Sequence, residues 1–180
     1  MGLMDLLKKK GQKKPDIIKG LSIKTMKAGF LLDFDLKTWE VTSVNHYDWG
    51  GDLTYEWQLK THDDTLYLEF EDDDEDLFSV SRKIPIGKID KKIIDQIIKD
   101  GDPPEEIQFD GTPYFLDETA GGKFYKDRGE MGKEMVKWDF IDDSGKKYLT
   151  IEQWGEADFE ASEGYPAYEY QFTNLLPGKL

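Results

Sequence analysis

The chain contains no cysteine. A disulfide framework, a thiolate metal site and a cysteine nucleophile are therefore excluded, and a reducing compartment is its simplest home. No apolar run approaches the ~20 residues that a membrane-spanning helix needs. Near the N-terminus the lysines follow the apolar residues, the reverse of a secretory signal, and Leu6 stands where a myristoylation signal has Ser or Thr. The expectation is a cytoplasmic protein. Histidine is scarce: His46 and His62 fall at a strand end and in a turn, which favours surface residues over a catalytic base. No G-x-S-x-G elbow, H-E-x-x-H helix or G-x-x-x-x-G-K-[ST] phosphate cradle occurs, and Gly50-Gly51 and Gly121-Gly122 are isolated loop glycines. No catalytic residue, cofactor site or metal ligand set is expected.

Acid, by contrast, is abundant. The 180 residues carry 38 acids against 24 lysines and arginines, for a net charge of -14. The charge is unevenly distributed: residues 1–27 hold eight lysines against Asp5 and Asp16, so a +6 tail precedes a body of -20. An acidic body repels phosphate backbones, so nucleic acid is not an expected partner. The tail places Leu3, Met4, Leu6 and Leu7 at helical spacing ahead of Lys8, Lys9 and Lys10, a pattern suited to an anionic membrane surface such as the inner membrane or to a solvated arm.

Beyond the tail the apolar period changes from 3.6 to 2. Gly29–Phe34, Thr38–Val44, Thr54–Lys60, Thr65–Glu71 and Leu77–Arg82 alternate apolar with polar residues, as half-wet strands do. The run from Ile89 to Lys99 has apolar residues at 89, 93, 94, 97 and 98, and is stopped by Gly101 and Pro103-Pro104, which predicts one amphipathic helix. Strands resume at Ile107–Asp110, Pro113–Glu118, Gly122–Asp127, Glu134–Asp142, Lys147–Trp154, Asp158–Ser162 and Ala167–Phe172.

The two β-rich halves resemble copies of one unit. Trp57 is followed ten residues later by Tyr67, and Trp138 ten residues later by Tyr148; the same offset of 81 pairs Phe78 with Phe159. The expected fold is mainly β: two tandem, pseudo-symmetric antiparallel β-units, as small barrels or one joint barrel or sandwich, linked by the helix. The expected divisions are a tail over 1–27, a first unit over 28–88, the helix over 89–100 and a second unit over 105–178.

Several stretches carry a likeness: Asp33 to Val41 (DFDLKTWEV), His46 to Gly50 (HYDWG), Glu56 to Leu59 (EWQL), Ser81 to Gly87 (SRKIPIG) and Leu149 to Glu156 (LTIEQWGE). On these the chain resembles the bacterial domain of unknown function numbered 4178, over about residues 28–178 in two tandem copies. The resemblance implies a bacterial, mainly β, cytoplasmic protein with a link to membrane stress. It implies no activity, and no catalytic residue is carried over from it.

Paired carboxylates are the only catalytic material in quantity, which keeps a carboxylate-dependent hydrolase of glycans or phosphoesters, or a carbohydrate-binding module, as the alternative function. Glu40 beside Trp39 and Glu56 beside Trp57 are the candidate acids. Alternation puts each on the face opposite its tryptophan, so an outward Glu and a core Trp are expected. The run LEFEDDDEDLFSV from Leu68 to Val80 has no glycine at the sixth position of a calcium loop, and Lys83 stands where the twelfth-position Glu belongs, so it reads as a solvated hairpin tip. Trp49, between Asp48 and Asp52 in a glycine loop, is the exposed aromatic expected to contact a partner. The resulting expectation is a non-enzymatic adaptor that binds a protein through Trp49, Asp48 and Asp52, while Lys8, Lys9 and Lys10 adjust its location.

Overall fold

The computed structural model describes residues 20–178. The alternating segments form β1 (Leu31–Phe34), β2 (Lys37–Asp48), β3 (Leu53–Lys60), β4 (Thr65–Asp72) and β5 (Asp76–Ile84), then β6 (Glu106–Phe109), β7 (Thr112–Tyr125), β8 (Lys133–Asp142), β9 (Tyr148–Gly155), β10 (Asp158–Ala167) and β11 (Thr173–Leu176). Between β5 and β6 lies α1 (Lys91–Asp100), the α-helix that the sequence predicts. Its ends follow from capping: Asp90 accepts the Lys92 amide, and Gly101, at φ 87°, donates back to Ile97. No helix among the described residues is long and apolar enough to cross a membrane.

Two expected elements differ. The strands predicted over 113–118 and 122–127 are one continuous β7, because Gly121 and Gly122 lie within the strand, paired with Val136 and Met135. The strand predicted over 167–172 is broken by a 3₁₀ turn at Glu169–Gln171, where the Gln171 side chain accepts the Tyr168 amide at 2.8 Å, and pairing resumes in β11.

All strand pairs are antiparallel, in the order β11-β1-β2-β3-β4-β5-β10-β9-β8-β7-β6, and a further β2–β7 pairing closes β2 to β5 and β7 to β10 into a ring. The halves join twice. At one seam β5 pairs with β10 from Phe78↔Ala167 to Ile84↔Ala161. At the other, the ladder is three pairs long: His46↔Tyr125, Tyr47↔Phe124 and Asp48↔Lys123. Aromatic stacking reinforces this short seam, with His46 and Tyr125 rings 4.6 Å apart and Tyr47 and Phe124 rings 5.0 Å apart.

β2 pairs with β1, β3 and β7, and β7 with β6, β8 and β2; each contains a bulge, in the β2–β3 and β7–β8 ladders. In β2 the extra residue is Thr42, between the pairs Val41↔Leu59 and Ser43↔Gln58; in β7 it is Asp117, between Leu116↔Phe140 and Glu118↔Asp139. A bulge reverses which parity of side chain meets a given face. Trp39 and Val41 before the β2 bulge, and Val44 after it, therefore join one apolar cluster.

That cluster buries Trp39, Trp57, Leu59, Leu66 and Leu68 with Ile23, Met26 and Phe172. A second buries Trp138, Phe140, Leu149 and Ile151 beneath Ile93 and Ile97 of α1. Trp39, Trp57 and Trp138 are core residues, each at most 1% exposed, as their alternation requires. One face of every ring strand is thereby used. The other face, in the middle of each strand, looks at the same enclosed space.

Candidate functional site

The space inside the ring is a cavity of about 500 Å³, walled by side chains from all eight strands. That volume lies within the range of small-molecule sites. Its wall mixes apolar and acidic groups: nine Asp and Glu line it or its mouth against Lys83 and Lys137.

The centre is built on Glu56 in β3. Asn45 Nδ2 donates to its Oε1 at 2.7 Å and Tyr47 Oη to its Oε2 at 3.0 Å, and all three residues are buried. Burial raises the Glu56 carboxyl above the ordinary carboxylate range, against the opposing pull of the Asn45 donor. The same burial holds the Tyr47 phenol well above its ordinary value, with Glu56 adding to it. Asn45 is itself oriented from outside the ladder: its Oδ1 accepts the Asp127 amide at 2.9 Å, from a 3₁₀ turn at Lys126–Arg128 that follows β7.

Glu69 in β4 stands directly opposite Glu56 in the β3–β4 ladder. Among the described residues no hydrogen-bond partner reaches its carboxyl, and its partial exposure is to the cavity it lines. Burial pushes Glu69 up to about 8, only partly opposed by Lys137 and increased by Glu56, Asp139 and Glu152. Burial also raises Glu71, two residues along the same face.

Both lysines are engaged. Lys137 Nζ lies 2.8 Å from Asp139 and 4.8 Å from the Trp49 ring centroid; burial works against its charge, but Asp139 and Glu69 outweigh it and its pKa is raised. Lys83 Nζ lies 2.6 Å from Glu152 and 2.8 Å from Glu160, and these carboxylates likewise raise it against its burial. Thr150 donates to Asp139 at 2.6 Å, which fixes that carboxylate beside Lys137. Among the described residues no three His, Asp or Glu side chains are arranged to hold a metal ion.

The residues singled out from the sequence fall as follows. Trp49 is part of the cavity wall: its ring stacks on Tyr47 at 5.3 Å and its Nε1 donates to Thr54 at 2.9 Å. Asp48 accepts the Gly50 and Gly51 amides at 3.0 and 2.8 Å, which holds the turn at two glycines of positive φ and lowers the Asp48 pKa. Asp52 is exposed on that turn, and its carbonyl accepts the Trp49 amide. Lys8, Lys9 and Lys10 lie outside the described residues. The acidic run divides: Asp72 to Asp76 form an exposed hairpin tip, whereas Glu69 and Glu71 alternate into the cavity. Glu40 is exposed as expected, but Glu56 is not outward; it is 4% exposed inside the ring.

The family model described as Domain of unknown function (DUF4178) matches residues 27–168, a single span across both halves. The chain belongs to this family. An uncharacterized protein of Aquifex aeolicus (strain VF5) is 25% identical to this DUF4178 chain over 181 residues, covering 98% of the chain and 99% of the relative. No solved structure matches it.

Alternation alone marked Glu56, Glu69, Lys137 and Glu152 as polar-face residues of this DUF4178 fold, and such residues read as solvated. One signal was available. Glu56 precedes Trp57, and Lys137 precedes Trp138. Opposite charges, each beside a core tryptophan, suit a shared buried site better than two wet surfaces.

Proposed function

We propose that the protein is a binding module that holds a small polar ligand inside its ring of strands. The observation that carries this reading is Glu69, a carboxyl with no hydrogen-bond partner among the described residues, facing a cavity of about 500 Å³. The Glu69 carboxyl is partly exposed into the cavity and free to form hydrogen bonds to a ligand there. Titrating a small-molecule library against isotope-labelled protein tests this. A true ligand perturbs the amides of Glu56, Glu69 and Lys137 and raises Tm, and Ser81→Phe, which fills the cavity, removes both effects while the circular dichroism spectrum stays unchanged. Hits that perturb only the outer surface sink the reading.

A second reading is favoured by the same Glu56–Glu69 pair. Two neighbouring carboxyls raised above the ordinary range could exchange a proton with a bound glycan or phosphoester. Recovery of every bound ligand intact after prolonged incubation argues for binding alone.

Two finer points accompany the proposal. The halves are read as copies of one unit, supported by the matching bulges at Thr42 and Asp117 and by the same antiparallel strand order, β1 to β5 and β6 to β10, in each half. The basic tail, through Lys8, Lys9 and Lys10, is read as a device that rests a cytoplasmic protein on an anionic membrane. Sedimentation with anionic vesicles at low salt, lost on deletion of residues 1–20, tests the tail. A protein partner on the acidic face is the weaker reading, because Trp49 is folded against Tyr47 and Lys137.

A further inference from the structure

The charge balance of the cavity points to what it binds. Lys83 is held by Glu152 and Glu160, and Lys137 by Asp139, so no ammonium in the wall lies within salt-bridge distance of Glu56, Glu69 or Glu71. An anionic ligand entering this field would be repelled. A neutral one would further desolvate these carboxyls, whereas a cation stabilises their charged form. The wall also supplies aromatic faces from Trp49 and Tyr67. A lysine ammonium already lies over each, at 4.8 and 5.7 Å, and Tyr47 stacks on Trp49, so these rings offer a ligand apolar edges beside the carboxyls.

Resting on the reading of the cavity as a ligand site, we infer that its ligand is a small organic cation, with an ammonium group directed at Glu69 and Glu56 and its hydrocarbon part against the aromatic wall. Glu69 faces Glu56 from β3, Lys137 and Asp139 from β8 and Glu152 from β9. With its carboxyl raised by burial, Glu69 holds a proton near neutral pH in the empty protein. A bound cation favours the carboxylate, so binding expels that proton, and affinity rises with pH up to about 8.

The test uses three probes of similar shape on the full chain: phenyltrimethylammonium, its neutral isostere tert-butylbenzene, and the anion benzoate. The expected result is that the cation shifts the amides of Glu56, Glu69 and Lys137 and binds at least about tenfold more tightly than the other two. Its affinity should fall about tenfold in Glu69→Gln. Calorimetry in buffers of different ionisation enthalpy should detect proton release. Glu71→Gln, at the outer end of the same face, serves as the second variant if Glu69→Gln fails to fold. Asp73→Asn/Asp74→Asn, on the exposed tip, should leave binding unchanged. Equal or tighter binding of the neutral probe or the anion in the cavity overturns the cation assignment and leaves the ligand site standing. Shifts confined to the outer surface, or none with any probe, overturn both.

Discussion

Asn45 Nδ2 donates to Glu56 Oε1 at 2.7 Å across the β2–β3 ladder, while Asn45 Oδ1 receives the Asp127 amide at 2.9 Å from the turn after β7. One amide thus ties a buried carboxyl in the first half to backbone of the second. Asn45→Ala leaves Glu56 with the Tyr47 donor only and Asp127 with an orphaned N–H. The expected cost is about 1–3 kcal/mol of unfolding free energy, measured by urea denaturation.

Glu69 sets a pH dependence of known sign. Its folded pKa, about 8, lies above the ordinary carboxyl value of 4.5. Below the lower value both folded and unfolded chains are protonated and nothing is lost. As pH rises from there to about 8 the unfolded chain gives up its proton while the folded one retains it, so stability falls across that window. Glu69→Gln should therefore match the parent near pH 4 and exceed it at pH 8, by an amount on the order of a few kcal/mol. A constant difference at both pH values would count against the assignment.

Lys137 is 8% exposed and pairs with Asp139 at 2.8 Å. Lys137→Met removes the cation beside the partly exposed Asp139 carboxylate, with an expected loss of about 1–3 kcal/mol at pH 7. Adding Asp139→Asn should restore part of the stability, and a double-mutant cycle reads the coupling.

Both seams between the halves carry a glycine where a methyl group does not fit. A Cβ on Gly164 in β10 would lie 2.5 Å from the Val80 carbonyl oxygen of β5, and one on Gly122 in β7 would lie 2.5 Å from the Asp48 carbonyl oxygen and 2.6 Å from the Trp49 ring. Either Ala substitution should cost about 1–3 kcal/mol. Gly122→Ala should in addition speed amide exchange at His46, Tyr47 and Asp48, because the seam there is three pairs long.

Leu36 is fully exposed at 105% and sits at φ 61°, beside Asp35 at φ 49°, in the β1–β2 turn. The β6–β7 turn meets the same need with Asp110-Gly111. A side chain in the left-handed region costs roughly 1–2 kcal/mol, and the extra freedom of glycine in the unfolded chain offsets about 0.4–1 of that. Leu36→Gly should therefore stabilise the fold slightly, by about 0.5–1 kcal/mol, visible as a raised urea midpoint.

Much of the architecture was legible without coordinates. Helix α1 announced itself through Ile89, Ile93 and Ile97 and its stop at Gly101, and its cap residues form the bonds that end it. Trp39, Trp57 and Trp138 were recognisable as core because each alternates with polar neighbours in a strand of high β-propensity. The residues Asp73 to Glu75 were recognisable as a wet tip, since clustered acids repel one another and seek water.

Closure of the ring was not legible. Alternation separates the two faces of a strand, but it is blind to what each face meets, because water and a polar cavity select the same residue types. Glu56 and Glu40 both precede or follow a core tryptophan, yet one faces solvent and the other an enclosed cluster of charges. The sequence by itself determined most of the strands, the helix and which face of each is apolar, all of which are local consequences of period and turn chemistry. Only the tertiary structure decided that Glu56, Glu69, Lys137 and Glu152 share one interior. That outcome depends on long-range pairing at two seams, His46 to Asp48 with Lys123 to Tyr125 and Phe78 to Ile84 with Ala161 to Ala167, between residues far apart in the chain.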